Sequence, residues 1–425
     1  MMRYVVLLIG LAGCARAAGP GMPSSAQSAP TSAQSGGAAP VGSAIAEFAA
    51  DAVAEAASPD DAPSPSPHAQ TAMEGDNFIV QAQTLFQIAA CGDLGEIPAR
   101  FDADVIERHC QDLHHAEDEY RHAWIDVAKP MFDSLRPSGL PSVVVYPFGG
   151  GDLITVLATF PDATEVTTIS LEPAGDIRPI ETIASAQLSR ELYVHRDHLK
   201  RLFLKAHSRT DNLRKESKTI LPGELVFDLV ALAVYGYEPI AVRYFRLLQD
   251  GSLEYLTTSD LDAHTNNARS SFDHVELMFR RAGDAKAPIR ILRHIRFNLD
   301  DTHIKADPSL LAHLGAKGTV ASMTKAATHL LWDEHFSLIR GWLVDHIAWM
   351  ASDSTGIPPR IATASGLVQE TYGIFDGPAQ FGAPDARDGR DLKRLFALQP
   401  KRDLAFRYGY PDRAGHAHLI VTHRP

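Results

Sequence analysis

Between Ser142 and Leu171 the chain carries a pattern that leaves little choice of fold. Ser142 to Phe148 is a run of valine and aromatic residues and reads as a buried strand. Gly149-Gly150-Gly151-Asp152 follows as a tight turn and Leu153 to Phe160 as a short helix. Pro161-Asp162 then breaks the helix ahead of a β-branched strand, Thr164 to Leu171. Strands joined through a helix run parallel, whereas a two-residue hairpin would set them antiparallel. The segment is therefore a βαβ unit, and the fold class is α/β.

The rest of the chain adds antiparallel pieces and helices. Apolar residues recur at helical spacing from Asp76 to Ala90 and from Asp104 to Phe132, and helices are also expected at 181–194, 196–208 and 224–235. Ile240 to Leu248 and Ser252 to Thr257 flank Asp250-Gly251, a hairpin signal. Val275 to Arg281 and Ile289 to Asn298 read as a second antiparallel pair, and Pro308 to Met350 as helical again. Leu404 to Tyr410 and His416 to His423 read as a last hairpin around Asp412-Arg413-Ala414-Gly415. The expectation is one mixed α/β domain over residues 75–425, with parallel strands, antiparallel hairpins and a Rossmann-like βαβ unit.

The chain opens with Met1-Met2-Arg3-Tyr4, a short apolar run from Val5 to Leu11, and Ala12-Gly13-Cys14. One positive charge, a brief apolar stretch and small residues before a cut site make a secretory signal. The run is too short to span a bilayer, which takes roughly 20 apolar residues. Leu11-Ala12-Gly13-Cys14 resembles the lipobox of bacterial lipoproteins. The resemblance implies that residues 1–13 are a removed signal peptide and that Cys14 carries acyl chains such as palmitate. Two or more chains anchor stably where one holds only marginally. Ala15, where an Asp would favour the inner membrane, implies the outer membrane. Residues 14–74 are rich in Ala, Ser, Pro, Gly and Gln, as in Pro63-Ser64-Pro65-Ser66-Pro67, and read as a disordered tether.

A net charge of −12 argues against a nucleic-acid partner, which a basic stripe would announce. There are 3 cysteines; with Cys14 assigned to lipid, Cys91 and Cys110 remain as a pair. In an oxidising compartment such a pair reads as a disulfide. Free thiols, or a metal held with His114, are the other readings. His115, Glu119 and His122 share a helical face, simply explained as solvated. No His-Glu-x-x-His is present, and no metal site or cofactor is expected.

Three constellations are candidates for chemistry. The first is Gly149, Gly150, Gly151 and Asp152 with Glu172, which ends the second strand at Pro173. In nucleotide-binding and methyltransferase-like folds a glycine turn admits the ligand to the backbone, and an acid about 20 residues later binds ribose hydroxyls. Ile154 stands where the dinucleotide pattern has its third glycine. The plain alternative is a structural turn, with Asp152 as helix cap.

The second is Ser322-Met323-Thr324-Lys325, whose Ser and Lys would face each other on a helix. It resembles the Ser-x-x-Lys motif of penicillin-binding proteins and β-lactamases. Ser352-Asp353-Ser354 has Ser where their second motif has Asn, no Lys-Thr-Gly follows, and too little chain remains for that fold. The third is Asp353, Ser354 and Thr355, followed by Gly356-Ile357-Pro358-Pro359. It reads either as a helix stop or as a pocket wall. His294, His329, His335, His416 and His418 have plain accounts as core or surface residues.

Tyr146-Pro147-Phe148, Ser170-Leu171-Glu172-Pro173, Met323-Thr324-Lys325, Ser352 to Gly356 and Phe406 to Tyr410 together resemble a group of bacterial lipoproteins to which no activity is attached. The resemblance covers most of residues 80–425. The expected role is a lipid-anchored extracytoplasmic protein of the cell envelope that binds a small molecule or an envelope partner, or serves as a scaffold. The alternative is an envelope enzyme with a Rossmann/methyltransferase-like pocket near Gly149–Asp152 and Glu172. That alternative requires Asp152, Glu172, Asp353 and Ser354 to converge on one cleft.

Overall fold

The computed structural model describes residues 74–205, 219–263, 272–378 and 386–425. The expected signal peptide, Cys14 and the tether up to residue 73 lie outside the described residues.

The chain enters through α1 (Ile79–Ile88) and α2 (Ala103–Tyr120). Asp102 caps α2 by accepting hydrogen bonds from the amides of Asp104 and Val105. A π turn, Arg121–Ile125, carries α2 into α3 (Asp126–Leu135), which contains Pro130. Cys91 and Cys110 form a disulfide with Cα atoms 5.4 Å apart, tying the end of α1 to α2. The bond takes Cys110 out of metal binding.

The βαβ unit follows as read: β1 (Val143–Pro147), α4 (Leu153–Thr159) and β2 (Glu165–Ser170), with β1 and β2 parallel. Next come α5 (Ser185–Lys205), α6 (Gly223–Val234), β3 (Tyr237–Leu247), β4 (Leu253–Tyr255), α7 (Thr258–Ala263), β5 (His274–Arg281) and β6 (Arg290–Arg296). Then come α8 (Asp301–Ala306), α9 (Ser309–Gly315), β7 (Val320–Thr324), α10 (Ser337–His346) and β8 (Ile347–Ser352). The chain closes with α11 (Pro359–Ala364), β9 (Val368–Gly373), α12 (Ala386–Leu398) and β10 (His418–His423).

The ten strands among the described residues form one sheet, in the order β4-β3-β5-β6-β2-β1-β7-β8-β10-β9. The central β6, β2, β1, β7 and β8 are mutually parallel. The expected hairpin of β3 with β4 and the antiparallel pair β5–β6 are both present and extend one edge. On the other edge β10 lies antiparallel between β8 and β9. Alternate residues of each strand serve different cores, as a two-residue side-chain period requires. Val144, Tyr146, Val166 and Met323 join the core under α1 to α6, and Val145, Ile169, Val320 and Met350 the core under α8 to α11.

Charges also cross the sheet. Arg243 of β3 pairs with Glu276 of β5, and Glu276 lies 2.9 Å from Arg293 of β6. Arg293 lies 2.9 Å from Glu165 of β2, which also pairs with Lys317 ahead of β7. Burial alone would raise the Glu165 carboxyl, but Lys317 and Arg293 hold it down at about 2.

Three expectations are corrected. The helices expected at 181–194 and 196–208 are one helix, α5, because nothing around Val194 and His195 breaks it; Leu188, Leu192, Leu199 and Leu202 form one buried stripe. The stretch from Pro308 to Met350 is not wholly helical, since it contains the central strands β7 and β8. Finally, Leu404 to Tyr410 is not a strand. The Tyr410 amide is bonded to Asp353 at 2.8 Å, and Gly409 has a φ of 71°. The Phe406 and Tyr408 rings pack on Phe132. The partners of β10 are instead β8 and β9. His416 precedes that strand and lies 3.0 Å from Asp412, so it shares no strand face with His418.

Candidate functional site

In open α/β sheets a crevice forms at the carboxyl ends of the strands where connections leave in opposite directions. Here that point lies between β1, which connects through α4 to β2 on one side, and β7 on the other. A cleft of about 300 Å³ occupies it. Its walls come from the turn after β1, the end of β2, α6, the loop after β6 and the loop after β7.

The turn after β1 is shaped by contacts as well as by its glycines. Gly150 has a φ of 51°, the left-handed region that glycine tolerates. A Cβ on Gly149 would sit 2.5 Å from the Tyr146 ring, so the turn packs directly on that side chain. A Cβ on Gly151 would come within 2.8 Å of Glu224 Oε2. Four residues other than glycine in the surrounding loops share left-handed backbone: Phe148 (64°), Ala326 (54°), Thr328 (52°) and His329 (57°). Such strain persists only where packing over-determines it, and it concentrates at ligand sites. Phe148, Ala326 and Thr328 all line the cleft.

Asp152 does not cap α4 with its side chain, contrary to the simple structural account of the turn. Its carboxylate accepts from Tyr146 Oη at 3.0 Å and Thr155 Oγ1 at 2.7 Å, and Lys325 Nζ lies 2.7 Å away. Lys325 also donates to Thr155 Oγ1. The Ser-x-x-Lys reading fails here. Ser322 and Lys325 stand on and just beyond a strand, three residues apart, so alternation sends them to opposite faces. Ser322 donates to the Val145 carbonyl.

Glu172 lines the cleft where the sequence places it, just past the end of β2. A buried chain fixes its backbone. His294 Nε2 lies 2.9 Å from the Glu172 carbonyl, and Thr168 Oγ1 lies 3.3 Å from Nδ1. Burial lowers the His294 pKa, so the ring is neutral. Its one N–H must then donate to the carbonyl, leaving Nδ1 to accept from Thr168.

Glu224, in the first turn of α6, has no place in the sequence reading and proves central. Glu172 and Glu224 are only 8% and 7% exposed, yet Glu172 Oε1 and Glu224 Oε2 have no hydrogen-bond partner among the described residues. Burial, together with the Glu172 charge, pushes Glu224 up to about 8 despite the nearby Gly151 amide. One turn on, Asp228 is raised well above its ordinary value by burial, Glu224 and Asp152. A signal existed: Glu224 and Asp228 are acids four apart in the apolar helix Gly-Glu-Leu-Val-Phe-Asp-Leu-Val-Ala-Leu.

Asp353, Ser354 and Thr355 follow strand β8 rather than a helix, and they do not line the cleft. They hold its wall. Asp353 accepts from the amides of Ala326, Thr355 and Tyr410, while Thr355 Oγ1 accepts from the Ala327 amide. The Ser354 amide donates to His418 Nε2, and its carbonyl accepts from Trp332. All three are at most 1% exposed. Of the four groups that an enzyme would need together, only Asp152 and Glu172 meet. No three or more His, Cys, Asp or Glu side chains among the described residues are placed to hold a metal ion, and no described helix is long and apolar enough to cross a membrane.

No protein-family model matches the chain, and no curated protein or solved structure is significantly similar to it.

Proposed function

We propose that this protein is a small-molecule binding protein of the bacterial cell envelope, lipid-anchored through Cys14 to the outer membrane, with residues 14–74 as its tether. The cleft at the strand ends is the binding site. The observation that carries this reading is the pair of buried carboxyl oxygens, Glu172 Oε1 and Glu224 Oε2, left without partners on the cleft wall. A buried acceptor without a donor costs about 1–3 kcal/mol, so such a pair is retained where a ligand supplies the donors. Strained backbone at Phe148, Ala326 and Thr328 points the same way. The alternative of an envelope enzyme has less support, because Asp353 and Ser354 are committed to holding loops.

Leu171 lines the cleft and is 43% exposed, so Leu171→Trp narrows the mouth without disturbing the core. Native mass spectrometry of protein purified from its own host should find a small molecule on the parent and little or none on Leu171→Trp. Equal occupancy in both, or none in either, would remove the support for this reading.

A further inference from the structure

The glycine turn and the acid at the end of β2 suggest a phosphate-bearing nucleotide, but the charges around them do not. Backbone amides of a glycine turn favour an anion when they face open space. Here the turn faces a carboxyl group, with Glu224 Oε2 3.3 Å from where a Gly150 Cβ would lie and 2.8 Å from where a Gly151 Cβ would lie. Lys325 is the only cationic side chain among the described residues that line the cleft, and Asp152 already neutralises it. A phosphate would meet the Glu172 charge and oppose ionisation of Glu224, with no unpaired cation in the described lining to offset it. The apolar part of the lining includes Phe148, Phe227, Phe297 and Phe336, with the Phe148 and Phe336 rings edge to face at 6.0 Å.

We infer that the cleft takes an organic cation, a protonated amine on an apolar or aromatic body, whose ammonium donates to Glu172 and Glu224 while the rings hold the body. This rests on the reading of the cleft as a binding site. An ammonium supplies the donors that both carboxyl oxygens lack, and charge-assisted hydrogen bonds are about twice as strong as neutral ones. Aromatic faces add cation–π attraction. A matched alcohol offers a single donor and no charge.

A coupled proton follows. Around Glu224 stand Glu172 from the end of β2, Asp152 from the turn with Lys325 paired to it, Asp228 on α6 itself, and His195 of α5 near Gly223. With the cleft empty, burial and the Glu172 charge keep Glu224 protonated at neutral pH. An arriving cation favours the ionised carboxylate, so binding releases that proton to solvent.

The test is calorimetric titration of the full mature protein with alkyl and arylalkyl amines, the alcohols isosteric with them, and adenosine monophosphate as a ribose and phosphate probe. At least one amine should bind ten or more times tighter than its alcohol. Glu172→Gln and Glu224→Gln should each weaken it at least tenfold, and titrations in buffers of different ionisation heat should reveal proton release in the parent only. Glu224→Gln should melt no lower than the parent, which separates lost binding from lost folding. Alcohols that bind as well as amines, a nucleotide that binds better, or amines that fail to bind would each overturn the cation inference. The binding-site reading beneath it falls only if the Leu171→Trp comparison fails as well.

Discussion

Lys325 Nζ lies 2.7 Å from Asp152 Oδ2, and both residues are buried. The pair joins the end of β7 to the turn after β1 across the point where the sheet connections diverge. Removing one partner of a buried pair leaves an uncompensated charge and costs about 3–5 kcal/mol, whereas removing both costs far less. Lys325→Met should therefore lower the unfolding free energy by about 3–5 kcal/mol, and Lys325→Met with Asp152→Asn should recover most of the loss. Urea unfolding of the parent, both single variants and the double variant measures this; additive losses would refute the coupling.

Stability should depend on pH with two opposing signs. Burial holds His195 at about 3 and His109 at about 4 in the folded protein, against about 6.5 for an unfolded chain. Their contribution is complete above about 6.5 and is lost as pH falls toward the folded values, because there only the unfolded chain binds the protons. Glu224 works in reverse: its folded value is about 8 against an ordinary 4.5. Its contribution is complete below 4.5 and is lost as pH rises through about 8. The melting temperature should therefore fall on the acid side through the histidines and on the alkaline side through Glu224. Melts of Glu224→Gln across this range should show a shallower alkaline fall, and an unchanged alkaline limb would contradict the assignment.

The Cys91–Cys110 disulfide spans 19 residues of sequence. A loop of that size constrains the unfolded chain by about 3 kcal/mol in the chain-entropy account. Cys91→Ala with Cys110→Ala should fold, and should unfold at lower denaturant by about that free energy. Peptide mapping without reductant should recover the two cysteines linked in exported protein; two free thiols there would count against the disulfide.

Cys14→Ser should release the protein from the membrane fraction while leaving the melting of its folded domain unchanged. Detergent-phase partitioning is the measurement. A variant that still partitions with the detergent would show that the lipobox resemblance misleads.

The legible part of the fold was the part with strong local grammar. Ser142 to Leu171 alternates element types with a glycine turn and a Pro-Asp break between them, and Asp250-Gly251 marks its hairpin. β7 and β8 were hidden for a physical reason. Both are covered on two faces, so Val-Ala-Ser-Met-Thr and Ile-Ala-Trp-Met-Ala-Ser show no alternation of apolar and polar residues. β8 also begins at Ile347, directly after α10 ends at His346, with no turn residue between them. The same blindness affected the site. Glu172 was readable because it ends a recognisable strand. Lys325 has the local pattern of a helix, and the meaning of Glu224 depends on a turn more than 70 residues away in the chain.

The line of charges from Arg243 through Glu276, Arg293 and Glu165 to Lys317 joins the hairpin edge of the sheet to its parallel centre. Each inner member answers to two neighbours, so a single neutral replacement leaves charge uncompensated on both sides. Substitutions at such positions are coupled rather than additive, and they tie the edge of the sheet to its middle. If β3 and β5 peeled away alone, Arg293 would be left without Glu276 inside the sheet. The outer strands and the cleft-bearing centre should therefore melt as one cooperative unit, with a single transition whether followed at the edge or at the cleft.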